Sequence, residues 1–421
     1  MSESAELLRD GPPGQLEERL RETLREGGRR LLGELLNQPG LELPGDARLP
    51  GERVLEAQPR SVQTLLGEVI VHRRGYYDAE AGSVRYPLDE AMGLIGGWMP
   101  GLAKLAGRLA ARTSYEDAGE DLSACLGFPV EYRGLPRLVR RIGAAVGVAV
   151  AGMSAPPVGK NVRLYVSADG TGIPLRPDEL KGRAGRQADG SARTHEVKVG
   201  CVFTQSLRAG GEPLRDPDST TYTATLGRVD TFAPQLLKEA RRRHMDKARQ
   251  VVFISDAAAW LREMRRTHFP EAVWVLDFYH AATHVRALAD ALFGKESREA
   301  ERFYRSGVKR LLAGKSATVV SGAGRVSQPT DPVAAAREKS YLAAHHEGMR
   351  YDEFQREGIF IGSGVIEASC KSVVGQRFKQ SGMFWSQRGA EDLLPLRCAL
   401  SSGLYDQAWT PCVLRRIRDA A

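Results

Sequence analysis

Three acids, Asp169, Asp256 and Glu367, are where the types and spacing of residues first suggest chemistry. Asp169 and Asp256 each follow directly on an apolar run, residues 162–168 (VRLYVSA) and 250–255 (QVVFIS), so each reads as the C-terminal end of a buried strand. If the two strands are neighbours in one sheet, both carboxylates emerge at the same rim. Glu367 lies in the first turn of a helical pattern that follows an apolar, strand-like run and Gly362-Ser363-Gly364. Three carboxylates with few other ligands are what Mg²⁺ or Mn²⁺ needs, because these hard cations take oxygen donors and keep waters for substrate phosphate. Two such ions about 3.5–4 Å apart would serve an attacking and a leaving oxygen in phosphodiester chemistry. Acids at strand ends are also common as helix caps, and Glu367 alone could be an ordinary surface residue. Spacing by itself leaves both readings open.

Basic residues fall in three places. Lys371, Arg377, Lys379 and Arg388 follow the third acid directly, where cations could meet a phosphate backbone. Trp385, among them, could stack on a base or simply be core. Lys181, Arg183, Arg186 and Arg193 lie in a Gly-rich stretch between two strands, either a cationic segment over the acidic rim or a solvated loop. Arg137, Arg140 and Arg141 lie on the second of two helices, residues 114–126 and 134–150, joined by a short connection containing Gly127. That pair fits a helix-turn-helix reader of DNA or any small helical domain.

The positioning elements follow from periodicity. Leucines from Leu16 to Leu36 mark a helix, interrupted at Gly27-Gly28 and ended by Pro39-Gly40. Residues 61–72 read as a strand, paired with 83–86 across a turn at 78–82. Pro87 opens helical sequence that breaks near Pro100 and reaches about Arg112. The Pro-rich stretch 154–160 marks a domain boundary. Strands at 196–204, 220–225 and 272–276 join the two that end in acids. Helices are expected at 232–247 and 257–266, and helical sequence with a loop at 321–332 fills 281–356. Strands first and then alternating helix and strand imply a mixed sheet flanked by helices.

At 421 residues there is room for two or three domains. The 60 Lys and Arg against 52 Asp and Glu leave +8, which leans toward an anionic partner without requiring one. Five scattered cysteines include no C-x-x-C, so a zinc module is not expected and a reducing cytoplasm is. His280 and His284 have H-x-x-x-H spacing but no third ligand in view, and a zinc site there is rejected. No apolar run is long enough for a membrane span, and the first residues carry no signal-peptide core.

Five ordered motifs carry a resemblance. DGTGIPLRP from Asp169, HEVKVGCVFT from His195, FISDAAAW from Phe253, LDFYHA from Leu276 and IGSGVIEASCKSVVGQRFKQSGMFW from Ile361 together resemble the ISKra-type insertion-sequence transposases, part of the Mutator-like group of DDE transposases. The likeness runs over about residues 161–402 and more loosely back to Thr64. It implies an α/β protein with an RNase H-like mixed-sheet catalytic core interrupted by a helical insertion. A mainly helical N-terminal region with a β-hairpin would precede that core. The gaps of 256 − 169 = 87 and 367 − 256 = 111 residues leave room for the insertion after the second acid. The implied segments are 1–113, a helix-turn-helix-like 114–153, core 160–282, insertion 283–356, core 357–403 and tail 404–421.

Asp169, Asp256 and Glu367 then match the catalytic acids, holding two Mg²⁺ or Mn²⁺ ions. Asp277 and His280 match a D-x-x-H signature, with His280 touching a phosphate or steadying the metal site, or else a cap or core histidine. Two departures stand out: Ala257 where relatives carry glycine, and Tyr77-Asp78-Ala79 where several carry cysteines. The implied activity is metal-dependent cutting and strand transfer at the inverted repeats of a mobile element. Double-stranded DNA, both element ends and target, would be the partner of a cytoplasmic, nucleoid-associated homo-oligomer, at least a dimer on DNA. A nuclease without strand transfer and a domesticated DNA-binding protein are the rivals.

Overall fold

The computed structural model describes residues 12–38, 48–157, 159, 161–180, 193–207 and 213–410. Contacts divide the chain into two compact units. One comprises residues up to 149 together with those from 405 onward, and the other residues 150–404.

In the first unit, helix α1 (Leu16–Leu36) is followed by an antiparallel sheet of β1 (Glu52–Thr64), β2 (Gly67–Asp78) and β3 (Ser83–Arg85). Val62, Val69, Val71, Leu88 and Leu94 form its core, with Leu32 and Leu36 of α1 packed against them. The expected break at Gly27-Gly28 does not occur. A Cβ at Gly28 would lie 3.3 Å from Leu66, so glycine there lets the unbroken helix come close to the hairpin. The strand expected over 61–72 is instead two strands. Thr64 Oγ1 accepts from Leu66 N and donates to Gly67 O, and Gly67 sits at φ +117, which closes a turn in the middle of the apolar run. The turn at 78–82 is as expected, with Tyr76 paired to Arg85.

Helices α2 (Pro87–Ala91), α3 (Pro100–Ala110), α4 (Tyr115–Leu126) and α5 (Leu135–Gly152) follow. Ser114 caps α4 by accepting from Asp117 N, and Gly127 ends it in the left-handed conformation. A Cβ at Gly107 of α3 would lie 2.4 Å from Ile142 of α5, so these two helices touch closely. Residues 405–410 fasten to α3 by a bond from Tyr405 Oη to Lys104 O and by ion pairs from Lys104 and Arg108 to Asp406.

The second unit is a mixed sheet, β4 (Arg163–Pro174), β5 (Thr194–Leu207), β6 (Pro213–Arg215), β7 (Thr221–Thr225), β8 (Gln250–Ser255) and β9 (Val273–Leu276). Its order is β6-β5-β4-β8-β9, with β7 also pairing β5. β5 runs antiparallel to β4 and β7, whereas β4, β8 and β9 are parallel. Helices α6 (Val229–Arg242) and α7 (Ala259–His268) supply one face, where a Cβ at Gly200 would meet Leu236 at 2.7 Å. The next residue, Cys201, is buried on the opposite face beside Ser369. Helices α8 (Phe278–Phe293), α9 (Arg298–Leu312), α10 (Ser316–Gly324), α11 (Pro332–Ala344) and α12 (Tyr351–Arg356) separate β9 from α13 (Gly364–Ser369). A π-helical turn (Cys370–Gly375), α14 (Gln376–Phe378) and α15 (Gln387–Ser401) complete the unit.

Two expectations about strands need correction. β4 does not stop before Asp169 but continues to Pro174, because β5 pairs with it along that length. The run before Gly362 is not a strand. Residues 358–360 are instead held against the sheet by side chains: Gln205 Nε2 donates to Gly358 O at 2.6 Å, and Phe360 N donates to Tyr165 Oη at 3.1 Å. Tyr165 is fully buried and donates in turn to Gln205. Tyr165→Phe leaves the Phe360 N–H without its acceptor inside the fold. We expect a loss of about 1–3 kcal/mol in denaturant unfolding, with the secondary structure unchanged by circular dichroism.

Candidate active site

Register brings the acids into line. Ser167 pairs with Ile254 across β4 and β8, so Asp169 and Asp256, each two residues further on, lie at one level. Ser255 pairs with Leu276 across β8 and β9, which sets Asp277 level with Asp256. Glu367 arrives from α13, and an open cleft of about 220 Å³ is lined by Asp169, Asp256, Asp277, Tyr279, His280, Ser363 and Glu367 among others. Five residues singled out from the sequence therefore share one cleft.

They are not equivalent. Asp277 is 2% exposed and spends both oxygens on backbone: Oδ1 accepts from His280 N at 2.6 Å, capping α8, and Oδ2 accepts from Ser363 N at the start of α13. It orients the neighbours of the cleft and offers no further lone pair in the direction of those bonds. Asp169 Oδ1 accepts from Gly170 N at 2.7 Å and its Oδ2 lies 3.8 Å from Cys370 Sγ. Asp256 Oδ1 accepts from Ala258 N at 2.9 Å, at the entry to α7. Among the described residues no hydrogen bond or ion pair to the Glu367 carboxylate occurs, and Glu367 is exposed. The glycines after Asp169 answer to packing: Cβ atoms at Gly170 and Gly172 would collide with Glu196 and Thr194 on β5.

Burial, and then the charges of Asp256 and Glu367, push the Asp169 carboxyl above its usual range, against hydrogen bonds from Gly170 and Cys370. Gathered like charges with no cation bonded to them are an environment that a positive ion would relieve. The donors are all carboxylate oxygens, which suits a hard divalent cation. Among the described residues no group of three or more His, Cys, Asp or Glu is arranged to hold a metal ion by itself. The cleft is open, and its carboxylates come from separate elements.

Comparison with known proteins finds a likeness to a family described as uncharacterised. The chain is similar to the uncharacterised protein family UPF0236. The family's model matches residues 14–187, a stretch that includes Asp169 and ends before Asp256 and Glu367. A "UPF0236 protein in vanSb 3'region" from Streptococcus gallolyticus is 23% identical over 392 residues, covering 89% of this chain and 80% of its own. The Drosophila P element transposase strand transfer complex superposes with a TM-score of 0.28 at 10% identity, covering 73% of this chain and 80% of that one. A superposition that loose bears on neither fold nor function.

The remaining basic and aromatic candidates separate by exposure. Lys371, Lys379 and Arg388 are exposed, and Lys379 Nζ donates to Thr171 Oγ1 at 2.6 Å, two residues beyond Asp169. Arg377 and Trp385 are corrected: they belong to the core. Arg377 is fully buried, its guanidinium 4.8 Å from the Trp385 ring centroid, and Trp385 Nε1 donates to Phe378 O at 3.2 Å. Arg137 and Arg140 are exposed on α5, whereas Arg141 lies against Gly96. α4 packs chiefly on α3 and the turn at 132–134. Lys181, Arg183 and Arg186 lie outside the described residues, and Arg193 is half-buried. Tyr279 was not singled out from the sequence. It lines the cleft at 66% exposure, and Gly362 gives its ring room, since a Cβ there would come within 3.1 Å. Its place in LDFYHA, beside the capping aspartate, was the available signal.

Because Asp169 titrates higher when folded than when unfolded, its ionisation costs stability. That cost is absent below the unfolded range, grows as pH rises between the two, and is complete above the folded value. Asp169→Asn at neutral pH without divalent cation should therefore melt higher than wild type. Mg²⁺ or Mn²⁺ should raise the melting temperature of wild type and leave the variant unmoved. Equal metal shifts in both would remove Asp169 from the ligand set.

Proposed function

We propose that this chain is a DDE transposase akin to the ISKra-type enzymes, cutting DNA at the ends of a mobile element and joining them to a target. The observation that carries the reading is the register that sets Asp169 level with Asp256 in a cleft that Glu367 also lines. The sheet supports it. An antiparallel run of three strands, β4, β5 and β7, followed by parallel β8 and β9 with order β7-β5-β4-β8-β9, is the topology expected of an RNase H-like core.

In this reading Asp169, Asp256 and Glu367 would hold Mg²⁺ or Mn²⁺. Bound there, the cations would neutralise the scissile phosphate and lower the pKa of an attacking oxygen. Such ions keep waters and take phosphate oxygens, so one or two carboxylates each suffice, consistent with an open cleft. Asp277 orients His280 and the first turn of α13. Exposed Lys371, Lys379 and Arg388 would meet the DNA backbone, and Tyr279 would stack on a base beside a distorted cleavage site. Arg137 and Arg140 would help to bind the terminal inverted repeats. Joining two ends calls for at least a dimer on DNA, working at the nucleoid. No helix of the described residues is long and apolar enough to cross a membrane.

A domesticated DNA-binding protein and a nuclease without strand transfer are the competing readings. A supercoiled plasmid carrying the element ends separates the three, with Mg²⁺ or Mn²⁺ and with Asp169→Ala, Asp256→Ala and Glu367→Ala beside wild type. We expect wild type to nick at the ends and to join them to target, and each variant to bind DNA with cutting reduced by at least about a thousandfold, a few kcal/mol of lost transition-state stabilisation. Cutting without joined products would favour the nuclease. Binding without cutting under either metal would favour the domesticated protein.

A further inference from the structure

Behind His280 stands a chain of side chains that the three acids do not use. His284, one turn along α8, places its Nε2 3.2 Å from His280 Nε2 and its Nδ1 2.6 Å from Glu338 Oε2. Glu338 comes from α11, far along the sequence, and is 4% exposed; its other oxygen accepts from Arg337 Nε at 2.8 Å. Tyr341, three residues on, stacks its ring on the His284 imidazole with centroids 3.5 Å apart at 14°. One helix therefore holds His284 by edge and by face. The two nitrogens of His284 turn to different partners, Nδ1 to Glu338 and Nε2 to His280, so the three side chains form a chain and do not converge on one point.

We infer that Glu338 and His284 are positioning residues that fix the orientation and tautomer of His280 at the acidic cleft. The inference deepens the catalytic reading of that cleft and rests on it. Hydrogen-bond inventory supplies the reasoning. Burial raises the Glu338 carboxyl, but the bonds from His284 and Arg337 outweigh it and leave the group below its ordinary range. An ionised carboxylate can only accept, so His284 Nδ1 carries the hydrogen. In its neutral form His284 then presents a lone pair at Nε2, to which His280 Nε2 donates across the 3.2 Å contact. His280 is left with a bare Nδ1. A bare ring nitrogen accepts hydrogen bonds and cannot donate one to a phosphate oxygen, so at this cleft it suits a water or 3′-hydroxyl about to attack. Without Glu338, His284 is free to take either tautomer and to turn, and the direction of the chain is lost.

The test uses the full chain with isotope-labelled histidine. Nitrogen–proton correlation spectra should place the hydrogen of His284 on Nδ1 and that of His280 on Nε2. Glu338→Ala should shift both to mixed tautomers, whereas Glu338→Gln, whose amide oxygen still accepts, should keep the wild-type pattern. In the plasmid assay Glu338→Ala and His284→Ala should lower turnover by about 10–100-fold at an unchanged half-saturating DNA concentration, with Glu338→Gln restoring most of it. Should Glu338→Ala fail to fold, Glu338→Gln and His284→Asn carry the same comparison. Other tautomers in wild type, or turnover unaffected by Glu338→Ala and His284→Ala, would overturn the proposal. A wild type that cuts no DNA would sink the catalytic reading, while the spectra would still decide the chain from Glu338 to His280.

Discussion

The Asp277 carboxylate is the constraint on which the rest of the cleft depends. It leaves the end of β9 and accepts one backbone N–H from the first turn of α8 and another from Ser363 at the head of α13. Those two segments are more than eighty residues apart, and between them they carry Tyr279, His280 and Glu367. A buried carboxyl group of this kind is tolerated because both of its oxygens accept backbone hydrogen bonds. The position demands aspartate on physical grounds. Asparagine has one acceptor oxygen, and its amide nitrogen would face a second N–H. What a sequence reading takes as a catalytic accessory is thus the pin that sets the third acid beside the first two.

How much of this was legible in the sequence depends on which force decides each element. β8 and β9 could be read because they are short apolar runs closed by an aspartate, β8 between β4 and β9 and β9 at the sheet edge. The far half of β4 could not, because Asp169 to Pro174 is polar and glycine-rich and is extended only through pairing with β5. β1 was missed over residues 52–60, where charged residues and Pro59 hide a strand defined by its partner. Gly27-Gly28 read as a break because helix propensity penalises glycine, but the close approach to Leu66 that Gly28 permits outweighs that cost. In the site, Asp169 and Asp256 stood out as candidates at strand ends and Glu367 at a helix start, but spacing alone left their role open. Arg377 was misplaced because a charge suggests exposure, whereas here the π-helical turn tucks it beneath Trp385. Glu338 could not have been found from spacing, since nothing near it in sequence marks its contact with His284.

The helices between the second and third acids are more than a spacer. Gly348 approaches Leu276 so closely that a Cβ would lie 3.0 Å from its backbone nitrogen, and Tyr351 Oη donates to Leu276 O at 2.9 Å. These contacts seat the segment against the last residue of β9, immediately before Asp277. α11 packs along α8 and delivers Glu338 and Tyr341 to His284. Two independent contacts therefore tie the insertion to residues adjoining the cleft, and a change in its packing would be felt at Asp277 and His280 before it reached the acids.

Electrostatics explains why such support is needed. Bringing Asp169 toward Asp256 and Glu367 while burying it is unfavourable, as its raised carboxyl shows. Nothing among the described residues neutralises Glu367, and Lys379, an exposed cation of the same segment, is turned to Thr171. A cluster of acids attracts a cation and repels an anion, so a cation can enter this cleft alone whereas an anion needs a cation there first. The scaffold holds the repulsion in place through other contacts, Tyr165 and Gln205 on the return segment and Asp277 on α13, rather than by pairing each acid with its own arginine. An acid paired in that way would be stable and inert. Held without a partner arginine or lysine among the described residues, the three acids form the kind of unrelieved cluster that gathers at functional sites.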